Sequence, residues 1–204
     1  VKKDQFYKVS AAHFPGAAID YCCDLWLLYQ FNFKISRDRQ TKLGDFRYDK
    51  IKKTYQVTVN KGLNPYAFLV TYIHEVAHVD NYRQHGQKVK PHGPEWQQSF
   101  RKLAYPLLNT DVFPADVLKA FKDYLQKPAA SSSGYLPLSL ALRRYDTGIE
   151  ESLLLAHLDQ GSKFIFKDRT FVKEGKKRTR AICTDLGNGR KYLIPEGAQV
   201  KKVA

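Results

Sequence analysis

An α+β fold is predicted for this chain: a mixed helix-and-strand first part followed by a small antiparallel β module. Three observations predict it. Helical and strand-like periodicities alternate up to about residue 126, giving a helix, three strands and then further helices. The stretch Pro128-Ala-Ala-Ser-Ser-Ser-Gly134 is small, polar and non-periodic, which is linker chemistry. From about Gly148 onward, short β-type runs are punctuated by glycines. The expected boundaries are a first domain over 1–128, a linker over 129–147 and a basic β module over 148–204.

The first helix is expected over Ala17–Tyr29, where Ile19, Cys22, Cys23, Leu25, Trp26, Leu27 and Leu28 form a wide apolar face. Strand-like runs follow at Gln30–Ile35, Gly44–Asp49 and Lys53–Asn60. In the last of these, Tyr55, Val57 and Val59 alternate with Gln56, Thr58 and Asn60, so one buried and one wetter face are expected. Asn64-Pro65 is a strong helix start, with Asn as the cap and Pro at the first helical position. That helix runs through His85 and stops at Gly86. Gly93-Pro94 opens another helix to about Leu107, and a further one covers Ala115–Gln126. In the C-terminal module, strands are expected at Lys163–Phe166, Thr170–Glu174, Thr179–Thr184 and Lys191–Ile194. Turns are placed at Glu174–Lys177 and Gly187-Asn188-Gly189, and the whole forms an antiparallel sheet or small barrel.

His74-Glu75-Val76-Ala77-His78 lies in the middle of the Asn64-capped helix. Residues four apart on a helix stand one above the other, about 5–6 Å apart at Cβ, so two imidazoles can converge on one Zn²⁺ at roughly 2.0–2.1 Å each. Glu75 projects beside them as a general base for water. A solvated His/Glu face is a poor account of this segment. Phe68, Leu69, Val70, Tyr72, Ile73, Val76, Ala77 and Val79 make the helix apolar nearly all round, and burying unpartnered histidines there costs several kcal/mol or so. A catalytic zinc takes a third protein ligand. His85 is seven residues beyond His78, about 10 Å along the axis. His92 stands after a short loop, just before the Gly93-Pro94 helix start, and is the expected third ligand.

The run Leu69-Val-Thr-Tyr-Ile-His-Glu-Val-Ala-His78, followed by His92-Gly-Pro-Glu-Trp96, resembles the SprT-like (Spartan-type) zinc metallopeptidase family. The lead-in Arg39-Gln-Thr-Lys-Leu-Gly-Asp-Phe-Arg47 and the strand ending in Asn60 are similar too, and the resemblance covers about residues 10–126. It implies a minimal gluzincin-like zincin domain, one zinc on His74, His78 and His92, Glu75 as the general base, and proteolysis of protein substrates. It also implies a link to DNA and to the removal of crosslinked proteins. Many members carry a C-terminal zinc ribbon with paired cysteines. This chain has only Cys183 there, so the module is either a ribbon that has lost its metal or an unrelated replacement.

Composition bears on partners. The 34 Lys+Arg against 20 Asp+Glu give a net charge of +14, an excess that points to a polyanionic partner. Residues 163–191 hold ten Lys/Arg against three acids, interleaved with Phe164, Phe166, Phe171 and Tyr192. That pattern suits single-stranded nucleic acid, bound through Lys173, Lys176, Lys177, Arg178 and Arg180, while Phe164 and Phe166 read better as the core of a small sheet. With the DNA link that the resemblance implies, single-stranded or damaged DNA is the favoured form. A second basic stretch, Lys34–Lys53, carries eight Lys/Arg against three acids. The three cysteines cannot build a disulfide framework, and no apolar run is long enough to span a bilayer. A cytoplasmic monomer with no membrane partner is expected, nucleoid association being compatible with its charge. The competing readings are a nucleic-acid-binding protein with a structural zinc and negligible proteolysis, and a zinc hydrolase acting on a small molecule.

Overall fold

The computed structural model describes residues 2–37, 42–129, 135–146 and 153–203. Residues 130–134 of the expected linker, the expected module start at 148, and residues 38–41 of the basic lead-in lie outside them. The architecture is mixed α+β, and the chain divides into two compact units: Val1–Ser132 with Ala141–Asp146, and Ser133–Leu140 with Thr147–Ala204.

The first unit opens with α1 (Lys2–Ser10), which was not expected from the sequence. It is polar and buries little beyond Phe6 and Ser10, so it carries almost no periodic signal. The Phe6 ring stacks with Phe14, Trp26 and Phe33 and packs edge-on to Tyr72. After a 3₁₀ turn at Gly16–Ala18, α2 (Ile19–Tyr29) buries Cys22, Cys23, Leu25 and Tyr29 while Leu28 faces solvent. Gln30 ends the helix in the left-handed region at φ 52°, its N–H donating to Trp26 O.

Three strands follow: β1 (Asn32–Ser36), β2 (Gly44–Asp49) and β3 (Thr54–Asn60). Their order is β1-β3-β2, with β1 parallel and β2 antiparallel to the central β3. Val57, Thr58, Val59 and Asn60 are all buried, so the wetter face expected for β3 is covered at this end. Asn60 is satisfied there by Ser36 Oγ (2.9 Å) and by donation to Lys42 O (2.6 Å). β2 is left as an edge strand.

The helix α3 (Pro65–His85) is the centre of this unit, with Phe68, Leu69, Tyr72, Ile73, Val76 and Val79 fully buried. Asn64 Oδ1 accepts from the N–H groups of Tyr66 (3.1 Å) and Ala67 (3.0 Å), satisfying two of the orphan donors of the first turn. Gly86, at φ 62°, ends it. Next come α4 (Pro94–Ala104), whose expected last turn is a 3₁₀ segment at Tyr105–Leu107, and α5 (Ala115–Gln126).

A helix, α6 (Leu136–Arg143), stands inside the stretch expected to be linker. Leu138, Ala141 and Leu142 are buried, an apolar stripe that the neighbouring serines and prolines mask in the sequence.

The second unit is an open antiparallel sheet in the order β4-β9-β5-β6-β7-β8. The strands are β4 (Leu153–Leu154), β5 (Lys163–Phe166), β6 (Arg169–Lys177), β7 (Arg180–Asp185), β8 (Lys191–Pro195) and β9 (Gln199–Lys202). Its core gathers Leu155, Phe164, Phe171, Ala181, Cys183, Ile194 and Val200. The turn expected at Glu174–Lys177 is instead strand: β6 bulges between Lys173 and Gly175 and pairs on to Lys177↔Arg180. The chain reverses at Arg178-Thr179, with Arg178 at φ 56°. β4 and β9 were not expected. All three cysteines are buried free thiols.

Candidate metal centre

Helix α3 puts His74 and His78 one turn apart, with ring centroids 5.1 Å from each other. The loop after Gly86 brings His92 onto them. His92 has a backbone φ of 62°, uncommon for a residue with a Cβ, and this strained conformation precedes the α4 start. His92 Nε2 lies 3.1 Å from His74 Nε2 and 2.9 Å from His78 Nε2. All three donor nitrogens fall within 4.8 Å of one another, a group able to hold a metal ion.

A hydrogen-bond account of this cluster is poor. A neutral imidazole carries one N–H, so His92 Nε2 can either donate to one partner or accept, and cannot serve both as a donor. Three neutral imidazoles on a tetrahedral Zn²⁺ would stand about 3.3 Å apart at nitrogen, close to what is seen. Burial and the neighbouring imidazoles hold His74 well below the ordinary histidine pKa, burial and His92 push His78 down to about 3, and burial lowers His92. The three rings are thus uncharged at neutral pH, and each is able to turn a lone pair toward a common centre. His85, the last residue of α3, is not in the group.

Aromatic walls fix the imidazoles. Trp96 on α4 is fully buried, with its rings 4.6, 5.3 and 4.7 Å from His74, His78 and His92. Phe100 stacks behind it at 5.1 Å. From the strand side, Phe46 stacks on His78 at 5.9 Å and touches Tyr82.

The three histidines open on a cleft of about 630 Å³, lined also by Glu75, Gly44, Asp45, Phe46, Tyr82 and Pro91. Glu75 is 7% exposed and lies under the start of β2. Two of these features were not foreseen. The role of Phe46 could have been sought in its place on an alternating strand, two residues from Gly44, whereas no sequence signal connects Gly44 with Glu75.

The five cations expected to meet nucleic acid are brought to one hairpin but do not share one environment. Lys173 is a correction. It is 7% exposed, its ammonium donating to Leu155 O (2.9 Å) and Leu158 O (2.8 Å) and facing Glu196 at 3.5 Å. On an inward-facing position of β6 it serves the module's interior and offers nothing to a polyanion. Lys176 is exposed but pairs with Glu196 at 2.5 Å. Lys177, Arg178 and Arg180 are exposed. The aromatics are likewise not a stacking platform: Phe164 and Phe171 are core, and Phe166 and Tyr192 pack against it. Arg169 covers the Tyr192 ring at 4.7 Å and is paired with the buried Asp185.

No protein-family model, curated protein or solved structure matches the chain. Among the described residues no helix is long and apolar enough to cross a membrane.

Proposed function

We propose that this chain is a single-zinc metallopeptidase of the SprT-like kind, built on a minimal zincin domain and working on proteins associated with nucleic acid. The observation that carries the reading is the convergence of three imidazole nitrogens beside a buried glutamate, in a cleft bordered by an edge strand. His74, His78 and His92 would hold the metal; zinc suits an all-imidazole set with a position left for water. Held there, Zn²⁺ would supply Lewis acidity, polarising a peptide carbonyl and acidifying water.

The chain's own residues account for the rest. Among the described residues β2 has a strand partner on one side only, so an extended peptide could add to its other edge through main-chain hydrogen bonds. A peptide bound there would have a scissile carbonyl near the mouth of the cleft, which β2 residues Gly44, Asp45 and Phe46 help to line. Glu75 accepts the proton from the attacking water and returns it to the leaving amine. Trp96, Phe100 and Phe46 pack against the imidazoles and hold their rings in place. A purely structural metal site has no use for a buried carboxylate beside the ligands and an open cleft before them, which favours catalysis.

The exposed cations Lys176, Lys177, Arg178 and Arg180 would draw nucleic acid to the second unit through phosphate contacts. Without an aromatic platform among the expected residues, this attraction is sequence-independent and serves duplex as well as single strands. The test is cleavage of an unfolded protein such as casein by the zinc-loaded chain, with and without DNA. Cleavage that a chelator abolishes and zinc restores supports the reading; a zinc-loaded chain without any hydrolysis of protein would refute it.

A further inference from the structure

We propose that Gly44 is a positioning residue for Glu75: the absence of a side chain at the first position of β2 lets the strand lie directly on the carboxylate and hold it toward the imidazoles. The proposal rests on the peptidase reading in assigning Glu75 its role. A Cβ built on Gly44 would stand 2.7 Å from Glu75 Oε1, 2.8 Å from Glu75 Cγ and 2.7 Å from Thr71 Cγ2. Real Cβ atoms do not approach so closely.

The contact cannot be relieved by a small swing of a flexible tip. Glu75 Cγ is the second carbon of a buried side chain. Thr71 is β-branched and fixed on the helix by its hydroxyl, which donates to Ala67 O at 2.8 Å. The strand itself is held in register, Gly44 pairing with Val59 of the buried β3. An added methyl must therefore turn the Glu75 side chain, which moves the carboxylate relative to the imidazoles, or lift the edge of β2, which removes the contact that holds it. The three atoms nearest to that methyl belong to Glu75 and Thr71, not to the imidazoles. The expected consequence is loss of proton transfer with the metal site intact, since a misplacement of about 1 Å can cost on the order of 100-fold in rate.

The test uses the full, zinc-loaded chain. Gly44→Ala is expected to keep one zinc with an affinity within about threefold of the wild type and a KM within about threefold, while kcat falls on the order of 30- to 100-fold. A merely structural role would lower zinc retention and kcat together. Thermal unfolding supplies a second reading that needs no activity. Gly44→Ala should lower Tm by roughly 2–10 °C. In a Thr71→Ser, Glu75→Ala background, which vacates the contested space, the same substitution should lower it by less than about 2 °C. Equal losses of Tm in both backgrounds, or unchanged kcat in Gly44→Ala, would overturn the proposal. If the wild type hydrolyses nothing, the peptidase reading fails, and the unfolding cycle alone still decides whether Gly44 packs on Glu75.

Discussion

The histidine positions follow from spacing alone, because four residues on a helix and a Gly-Pro helix start are one-dimensional signals. His74, His78 and His92 were legible for that reason, as was the exclusion of His85. The partners that hold them were less so: Phe46 and Trp96 stand in the sequence only as members of the lead-in and of the His92-Gly-Pro-Glu-Trp96 motif, and their contacts with the imidazoles need the fold. Lys173 misled because its neighbours Lys176, Lys177 and Arg178 are exposed, while the pleat at that position points inward. The histidine assignment predicts that His92→Ala weakens zinc binding by at least about 100-fold, whereas His85→Ala changes it less than about threefold. Chelator-competition titrations of the two variants check this, and the reverse order would refute the ligand set.

Helix α3 and the β6–β7 hairpin are the elements on which the two units most depend. The start of α3 was legible in Asn64-Pro65, and the structure adds that Asn64 Nδ2 donates to Leu142 O at 2.8 Å and to Asp146 Oδ1. Asn64→Ala should therefore cost more than an ordinary cap, about 2 kcal/mol, measured by denaturant unfolding. What escaped the sequence were elements with too few buried residues to show a period: α1, the two-residue β4, and β9 with Val200 as its buried side chain. In the hairpin, Lys173 holds a buried ion pair with two carbonyl acceptors, so Lys173→Ala should destabilise the second unit by about 3 kcal/mol, against about 0.5 kcal/mol or less for Lys177→Ala. Burial pushes the Glu196 carboxyl up, but Lys176 and Lys173 outweigh it and leave it below the ordinary glutamate value. A depressed carboxylate contributes stability above its unfolded pKa, about 4.3, and loses that contribution as pH falls through the lower folded value. Unfolding midpoints of the wild type should thus drop on acidification through this window, and Glu196→Gln should flatten the drop; a pH-independent midpoint in the wild type would contradict the pairing.

Across the whole molecule, the sequence yielded the α+β class and its mixed and antiparallel parts, since each has its own periodicity. It did not yield α6, because a short apolar stripe that follows a serine run and contains Pro137 resembles a linker in composition. A net charge of +14 suggests a polyanionic partner, but which cations are available depends on strand faces that composition does not report. Replacing Lys177, Arg178 and Arg180 with Glu should weaken DNA binding irrespective of sequence. Each lost phosphate contact should flatten the dependence of log affinity on log salt by about 0.7 on single strands. Zinc content should not change. Salt-series titrations of wild type and variant with equal slopes would move the interface elsewhere on the chain. The account as a whole meets its most direct test in the hydrolysis of an unfolded protein by wild type and Glu75→Gln at matched zinc content. Equal zinc and a rate lower by at least about 1,000-fold in the variant is the outcome predicted for a carboxylate that carries the proton. Equal rates, or loss of the metal with the carboxylate, would contradict it.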